Sequence, residues 1–162
     1  MFSETLGDTF DSPELAPFDG SAPGCAPEDR NLVYCAEENL VGFDEADLTR
    51  ERASAIGDFA VATAVSIPYA LSARDQRDLS TDDVDALRSA VCLTGAYGFA
   101  FFADALEGVQ ISAGDIDEAV EFLLTYGRDP EVLPQFGLTG FELVDVFRTG
   151  FTRDVGACGL EG

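Results

Sequence analysis

Four cysteines, at positions 25, 35, 92 and 158, are the chain's only thiols, and no histidine accompanies them. An even count without C-x-x-C spacing favours two disulfides over a zinc site, with buried reduced thiols as the alternative. Without imidazole there is no Ser-His-Asp or Cys-His nucleophile, no histidine general base and no H-E-x-x-H metal site. All nine basic residues are Arg, so P-loop and Schiff-base chemistry are missing too. What remains is carboxylate. The stretches DQRDLSTDDVD (75–85) and GDIDEAVE (114–121) offer oxygens of the kind calcium takes, but neither has EF-hand spacing. Both fall at expected helix starts, where acidic residues face the helix dipole favourably. Glu37 with Glu38, or Asp115 with Asp117, would be the acid–base pairs of a carboxylate enzyme, yet residues one or two apart do not face each other on a helix. Arg88, Arg148 and Arg153 lie among apolar helix residues and read as surface ion-pair partners, with anchoring of an acidic ligand as the other use.

At 162 residues the chain is long enough for one domain. Hydrophobic residues make up 46% of it, with 13 Phe, which suffices for a core despite a net charge of -22. That charge excludes two partner classes. Nucleic-acid backbones and anionic membrane leaflets both require clustered cations, and acidic residues outnumber basic ones 31 to 9. Such acidity suits solubility in strong salt, or docking of a basic protein partner. A protein partner or self-assembly is therefore expected, and no cofactor.

The elements that must position these groups are legible in part. Residues 1–30 carry Pro13, Pro17, Pro23 and Pro27 with Gly7, Gly20 and Gly24, a pattern that predicts an extended, turn-rich arm. Residues 31–162 form the domain proper. Asn31 to Asp44 has two short apolar runs around AEEN and reads as a β-hairpin, the only clear strand region. Leu48 to about Ala73 is nearly apolar all round after Asp58, as a central buried helix is, and Pro68 is expected to kink or end it. A second helix opens with Ser80 and Asp83 at capping-box spacing and runs to about Leu106. A third opens with Ser112 and Asp115 and ends at Gly127. Thr139 with Glu142 opens a fourth, on which Phe141, Val144, Phe147 and Phe151 lie near one face. The longest uncharged runs, Phe59 to Ala73 and Ser89 to Ala103, fall short of the roughly 20 residues of a spanning helix. The acidic start has neither a basic n-region nor an apolar h-region; if the disulfides form, a mature extracytoplasmic form with its leader removed is expected.

Four phrases occur in an order that resembles the bacterial neutral zinc metallopeptidase family, a zincin-like group: NLVYCAEENLVGFD, AIGDFAVATAVSIPYALSARDQ, SAVCLTGAYGFAFFADAL, and SAGDIDEAVEFLLTYGRDP followed by GFELVDVFRTGFTRDVGAC. They span roughly residues 25 to 158. The resemblance implies an α+β, mostly helical zincin-like fold with a small β-hairpin or sheet near the N-terminus. It also implies pairing of Cys25 with Cys35 and of Cys92 with Cys158.

The departures bear on function. A zincin carries His, Glu and His on one helix face; aligned on GDFAVATA, those places fall on Ile67, Pro68 and Leu71, and the third ligand falls near Leu87. None can bind zinc or move a proton. Leu, Ile and Pro there imply a metal cavity refilled as core, because an unpaired His or Glu is costly once zinc is gone. The alternative is a retained apolar cleft, with Tyr69 and Val91 beside those four positions. The expected function is that of an inactive, secreted metallopeptidase-like binding or structural module, such as a subunit of a cell-surface assembly. The competing readings are an enzyme with a carboxylate site and a cation-binding acidic surface protein.

Overall fold

The computed structural model describes residues 10–26, 29–103, 111–153 and 155–160. Among these, three short strands form one sheet and five helices supply most of the core, an α+β arrangement dominated by helix. Strands β2 (Leu32–Cys35) and β3 (Leu40–Asp44) are the expected hairpin, antiparallel with Leu32 opposite Phe43 and Cys35 opposite Leu40. Asn39 closes the turn in the left-handed region at φ 46°, a conformation Asn tolerates better than most residues, and its N–H donates to the Ala36 carbonyl.

The Pro/Gly-rich arm departs from expectation. Glu14–Phe18 is a third strand, β1, and it pairs parallel to β3 with Glu14 opposite Leu40 and Phe18 opposite Asp44. The sheet order is β1-β3-β2, so β1 is an edge strand, where Pro17 can lack an N–H without breaking an interior ladder. Its residues do not alternate cleanly between buried and exposed, which is why local pattern did not reveal it. Cys25 is bonded to Cys35, Cα–Cα 5.7 Å, and fastens the arm to the end of β2.

After β3 the chain enters α1 (Glu45–Ala53), wound with π-type spacing. The carboxylate of buried Asp44 opens it by accepting from Asp47 N–H at 2.7 Å, and accepts from Gly20 N–H of the arm at 3.1 Å. The single long helix expected from residue 48 is thus two, separated at Ser54–Gly57. Helix α2 (Asp58–Asp75) is the central element, burying Phe59, Ala60, Thr63, Ala64, Ile67, Ala70 and Ala73. Contrary to expectation, Pro68 does not end it; the helix continues for two further turns. Loss of one backbone bond and the ring's clash cost about 3 kcal/mol in a helix interior. Burial offsets this, since Ile67, Pro68, Ala70, Ser72 and Ala73 around it are all buried.

Helix α3 (Val84–Phe102) starts one turn later than the Ser80 signal suggests: Asp83 is the cap, accepting from Ala86 N–H at 2.7 Å, while Ser80 Oγ donates to Asp82. A carboxylate directly before the first turn outcompetes a hydroxyl three residues earlier. The predicted end near Leu106 lies outside the described residues. Helix α4 (Ala113–Tyr126) has the expected Ser112–Asp115 capping box and stops at Gly127. Helix α5 (Gly140–Arg153) has the Thr139–Glu142 box, with Glu142 accepting from Thr139 N–H and Oγ at 2.8 Å each. Of the face expected on it, Phe147 is buried and Val144 and Phe151 pack against the core, joined by Leu143 and Gly150, whereas Phe141 is 78% exposed.

Helices α3 and α5 touch backbone to backbone through two glycines. A Cβ on Gly95 would strike the Phe147 carbonyl, and one on Gly150 would strike the Cys92 carbonyl. The second disulfide, Cys92 to Cys158 with Cα–Cα 5.3 Å, locks the C-terminal 3-10 turn (Val155–Cys158) onto the same place. Both pairings that the family resemblance implied are present, and no described helix is long and apolar enough to cross a membrane.

Candidate functional site

An open groove of about 560 Å³ lies where four segments meet. The face of α2 supplies Ile67, Pro68 and Leu71, the start of α3 supplies Leu87, β2 and the residue leading into it supply Arg30, Leu32, Val33 and Tyr34, and the α4–α5 connection supplies Pro130 and residues 132–136. Ile67, Pro68 and Leu71 line the groove from one side of the helix: positions i, i+1 and i+4 span about 100°, and Tyr69 at i+2 falls about 100° beyond that arc. Leu87 reaches them from the next helix because α2 and α3 pack side by side.

The groove therefore brings together all four positions that the resemblance aligned with a zinc site. Their side chains are hydrocarbon, so neither metal ligand nor proton shuttle faces this space from those four places. Tyr69 and Val91 do not line it. Tyr69 is one residue past Pro68, about 100° round the helix, and packs its ring on Phe10 at 6.2 Å between centroids. Val91 has no exposed surface and belongs to the core. The expectation that these two border a cleft is corrected accordingly. Ile67 and Leu87 are nearly buried, at 2% and 4%, and pack in the hydrophobic core, while also bordering the groove.

Polar anchors hold the walls. Arg52 of α1 donates to Asp129 and Glu131 at 2.7 Å each and pairs with Asp47 at 3.0 Å. Burial works against its charge, but the hydrogen bond to Glu131 and the three carboxylates outweigh it and raise its pKa. Glu131 also accepts Asn31 N–H through its backbone carbonyl at 2.8 Å, which sets the α4–α5 connection against the entry to β2. Val132 and Leu133 are then pressed into the core, with both their N–H groups donating to Asp129. On the opposite wall Tyr34 donates to Asp75 at 3.0 Å. Burial, followed by that carboxylate, pushes the phenol's pKa up and keeps its proton in place. Tyr34 is therefore a neutral donor, not a base.

Arg30 and Asp82 are the two groove residues that carry charge at neutral pH. Asp82 accepts from Ser80 Oγ at 3.0 Å. Arg30 is half-buried, burial lowers its pKa, and among the described residues no carboxylate lies within ion-pair distance of it. Sequence reasoning missed both, and it missed the α4–α5 connection as well. The available signal was the run DPEVLPQF, where apolar residues sit between Pro130 and Pro134, too short for a helix and too apolar for a solvated loop.

The other sequence candidates serve as structure. Asp83, Asp115 and Glu142 cap helices, and among the described residues neither acidic stretch gathers three ligand atoms in metal-binding reach. The group that comes close, Cys25, Cys35 and Glu38, has its two sulfurs bonded to each other. Glu37 and Glu38 are exposed on the hairpin turn, and Asp115 is committed to Ser112. Arg148 pairs with Asp145 at 3.1 Å on the surface, Arg88 lies close enough to Glu142 to lower its pKa after the two Thr139 hydrogen bonds, and Arg153 is exposed.

A second cavity, about 470 Å³, is lined by Arg74, Asp85, Arg88, Ser89 and Thr149 beside the Cys92–Cys158 disulfide. Buried Arg74 there donates to the carbonyls of Ser80 and Gly159, fastening the loop before α3 and the C-terminus to α2. Comparison with known protein families, characterised proteins and solved structures found no match.

Proposed function

We propose that this chain is a disulfide-stapled, extracytoplasmic binding module on a zincin-like frame that has lost its peptidase site, and that the groove over Ile67, Pro68, Leu71 and Leu87 takes a small apolar ligand. The observation that carries this reading is the convergence of those four positions. By the family resemblance they align with a zinc site, and residues 67 and 87 come from different helices, yet all four line one cavity. The two disulfides support the frame and the compartment.

The chemistry of the walls supports binding over hydrolysis. A groove of about 560 Å³ falls within the size range of small-molecule sites. Its lining is largely Leu, Ile, Val, Pro and Phe, with Tyr34 and Thr81 as neutral polar groups. Hydrolysis of a peptide needs an activated water and a group to receive its proton; Ile67, Pro68, Leu71 and Leu87 offer neither.

Titration with a neutral apolar fluorophore such as N-phenyl-1-naphthylamine tests the proposal. The expected result is saturable, blue-shifted emission from the native protein that Leu71→Gln weakens about tenfold or more, with the variant's far-ultraviolet circular dichroism unchanged. Leu71 is half-buried, so the substitution leaves the core intact. Absence of saturable binding, or binding that Leu71→Gln does not alter, would overturn the reading.

A further inference from the structure

The groove is apolar but not featureless: the Arg30 guanidinium lines it, with no counter-charge among the described residues. The chain has 31 acidic residues against 9 basic ones, and Arg52, which is comparably half-buried, pairs with three carboxylates at 2.7 to 3.0 Å. Arg30 lines the groove and has none among the described residues, nor a hydrogen-bonded acceptor there. Asp82 lines the same groove, yet it takes its hydrogen bond from Ser80 and is not paired with Arg30.

We infer that the ligand of this groove is an aliphatic carboxylate, its alkyl chain lying along Ile67, Leu71, Leu87 and Leu133 and its carboxylate paired with Arg30. The inference rests on the groove being a binding site and adds the chemical class of what it binds. Two features argue for it. A planar guanidinium presents two parallel N–H donors that match the two oxygens of a carboxylate. A cation already partly stripped of water, with no internal partner, gains more from an incoming anion than an exposed one does. Phosphate esters fit less well, because Asp82 in the same groove repels a second negative charge.

The test compares decanoate with decanol by isothermal titration calorimetry at pH 8, where the acid is ionised. Decanoate is expected to bind about tenfold tighter than decanol, and octanoate about fifteenfold weaker than decanoate, since each of the two missing methylenes contributes a factor of about four. Arg30→Gln is expected to abolish the preference for decanoate and leave decanol binding unchanged. Asp82→Asn, which removes the nearby negative charge, is expected to tighten decanoate and not decanol. Equal binding of acid and alcohol, or an acid preference that survives Arg30→Gln, would overturn the carboxylate inference while leaving the apolar groove intact. Failure of both ligands to bind would overturn the inference together with the reading beneath it.

Discussion

Replacing Gly150 by Ala tests the contact on which the C-terminal half of the molecule depends. In an ordinary helix interior this change stabilises by about 1 kcal/mol, because Ala loses less backbone entropy than Gly. Here the new methyl has nowhere to go. It would strike the Cys92 carbonyl and come within 2.9 Å of Ala96 N, and both are helix backbone rather than the movable tip of a side chain. Cys92 is also tied to Cys158, which resists separation of α3 from α5. Overpacking a well-filled contact costs about 1–3 kcal/mol; with rigid backbone on both sides the upper part of that range applies. After the propensity gain, a net loss of about 1–2 kcal/mol remains. For 162 residues the unfolding entropy is about 0.34 kcal/mol per kelvin, so Tm falls by about 3–6 °C. Gly114→Ala is the internal control. Its Cβ would meet only Ser112 Oγ, at 3.5 Å, and Tm should rise by up to about 3 °C. Scanning calorimetry on the oxidised protein measures both. A Gly150→Ala variant as stable as the parent, or more so, would refute the account of how α3 and α5 meet.

The two disulfides should differ in weight. Cys92 and Cys158 are 66 residues apart and Cys25 and Cys35 only 10, so on chain entropy their removal by paired Ala substitution costs roughly 4 and roughly 3 kcal/mol, or about 12 and about 8 °C in Tm. The reverse order in a melting experiment would contradict that. Acid sensitivity is also readable. Asp83 accepts from Ala86 N–H and then Ser80, Asp115 from Ser112 N–H and hydroxyl, and Glu142 from Thr139 N–H and hydroxyl; each carboxyl is thereby held below its ordinary pKa. A depressed folded-state pKa gives stability that is complete above the unfolded value, about 4, and is lost as pH falls through the lower folded value. Asp83→Asn, Asp115→Asn and Glu142→Gln combined should flatten the dependence of Tm on pH below about pH 4. Parallel curves for parent and variant would show that the caps do not titrate as described.

Much of this fold is written in short-range signals. The capping boxes at Ser112–Asp115 and Thr139–Glu142 involve residues three apart, and the apolar span after Asp58 marks a central helix because no face of it is polar. The hairpin around AEEN needs only its own strands and turn. With no histidine in the sequence, no H-E-x-x-H site can be built from it whatever the fold.

Other features depended on residues distant in sequence, and only the tertiary structure decided them. Strand β1 exists because β3 offers it an edge, and Glu14 and Leu40 are 26 residues apart. Pro68 breaks helices by local rule, but burial of its neighbours carries α2 through it. On α5 the expected Val144, Phe147 and Phe151 do face the core, but Phe141 is exposed and Gly150 meets the backbone of α3, which no periodicity within α5 records. The groove combines both kinds of information. The chemical character of Ile67, Pro68, Leu71 and Leu87 is a property of the sequence. Their convergence, in a groove also lined by Arg30, Asp82 and the 130–136 connection, required two helices, a strand and a loop to be placed together by the core. Local sequence determines what each residue can do, and packing between distant segments determines which residues do it jointly.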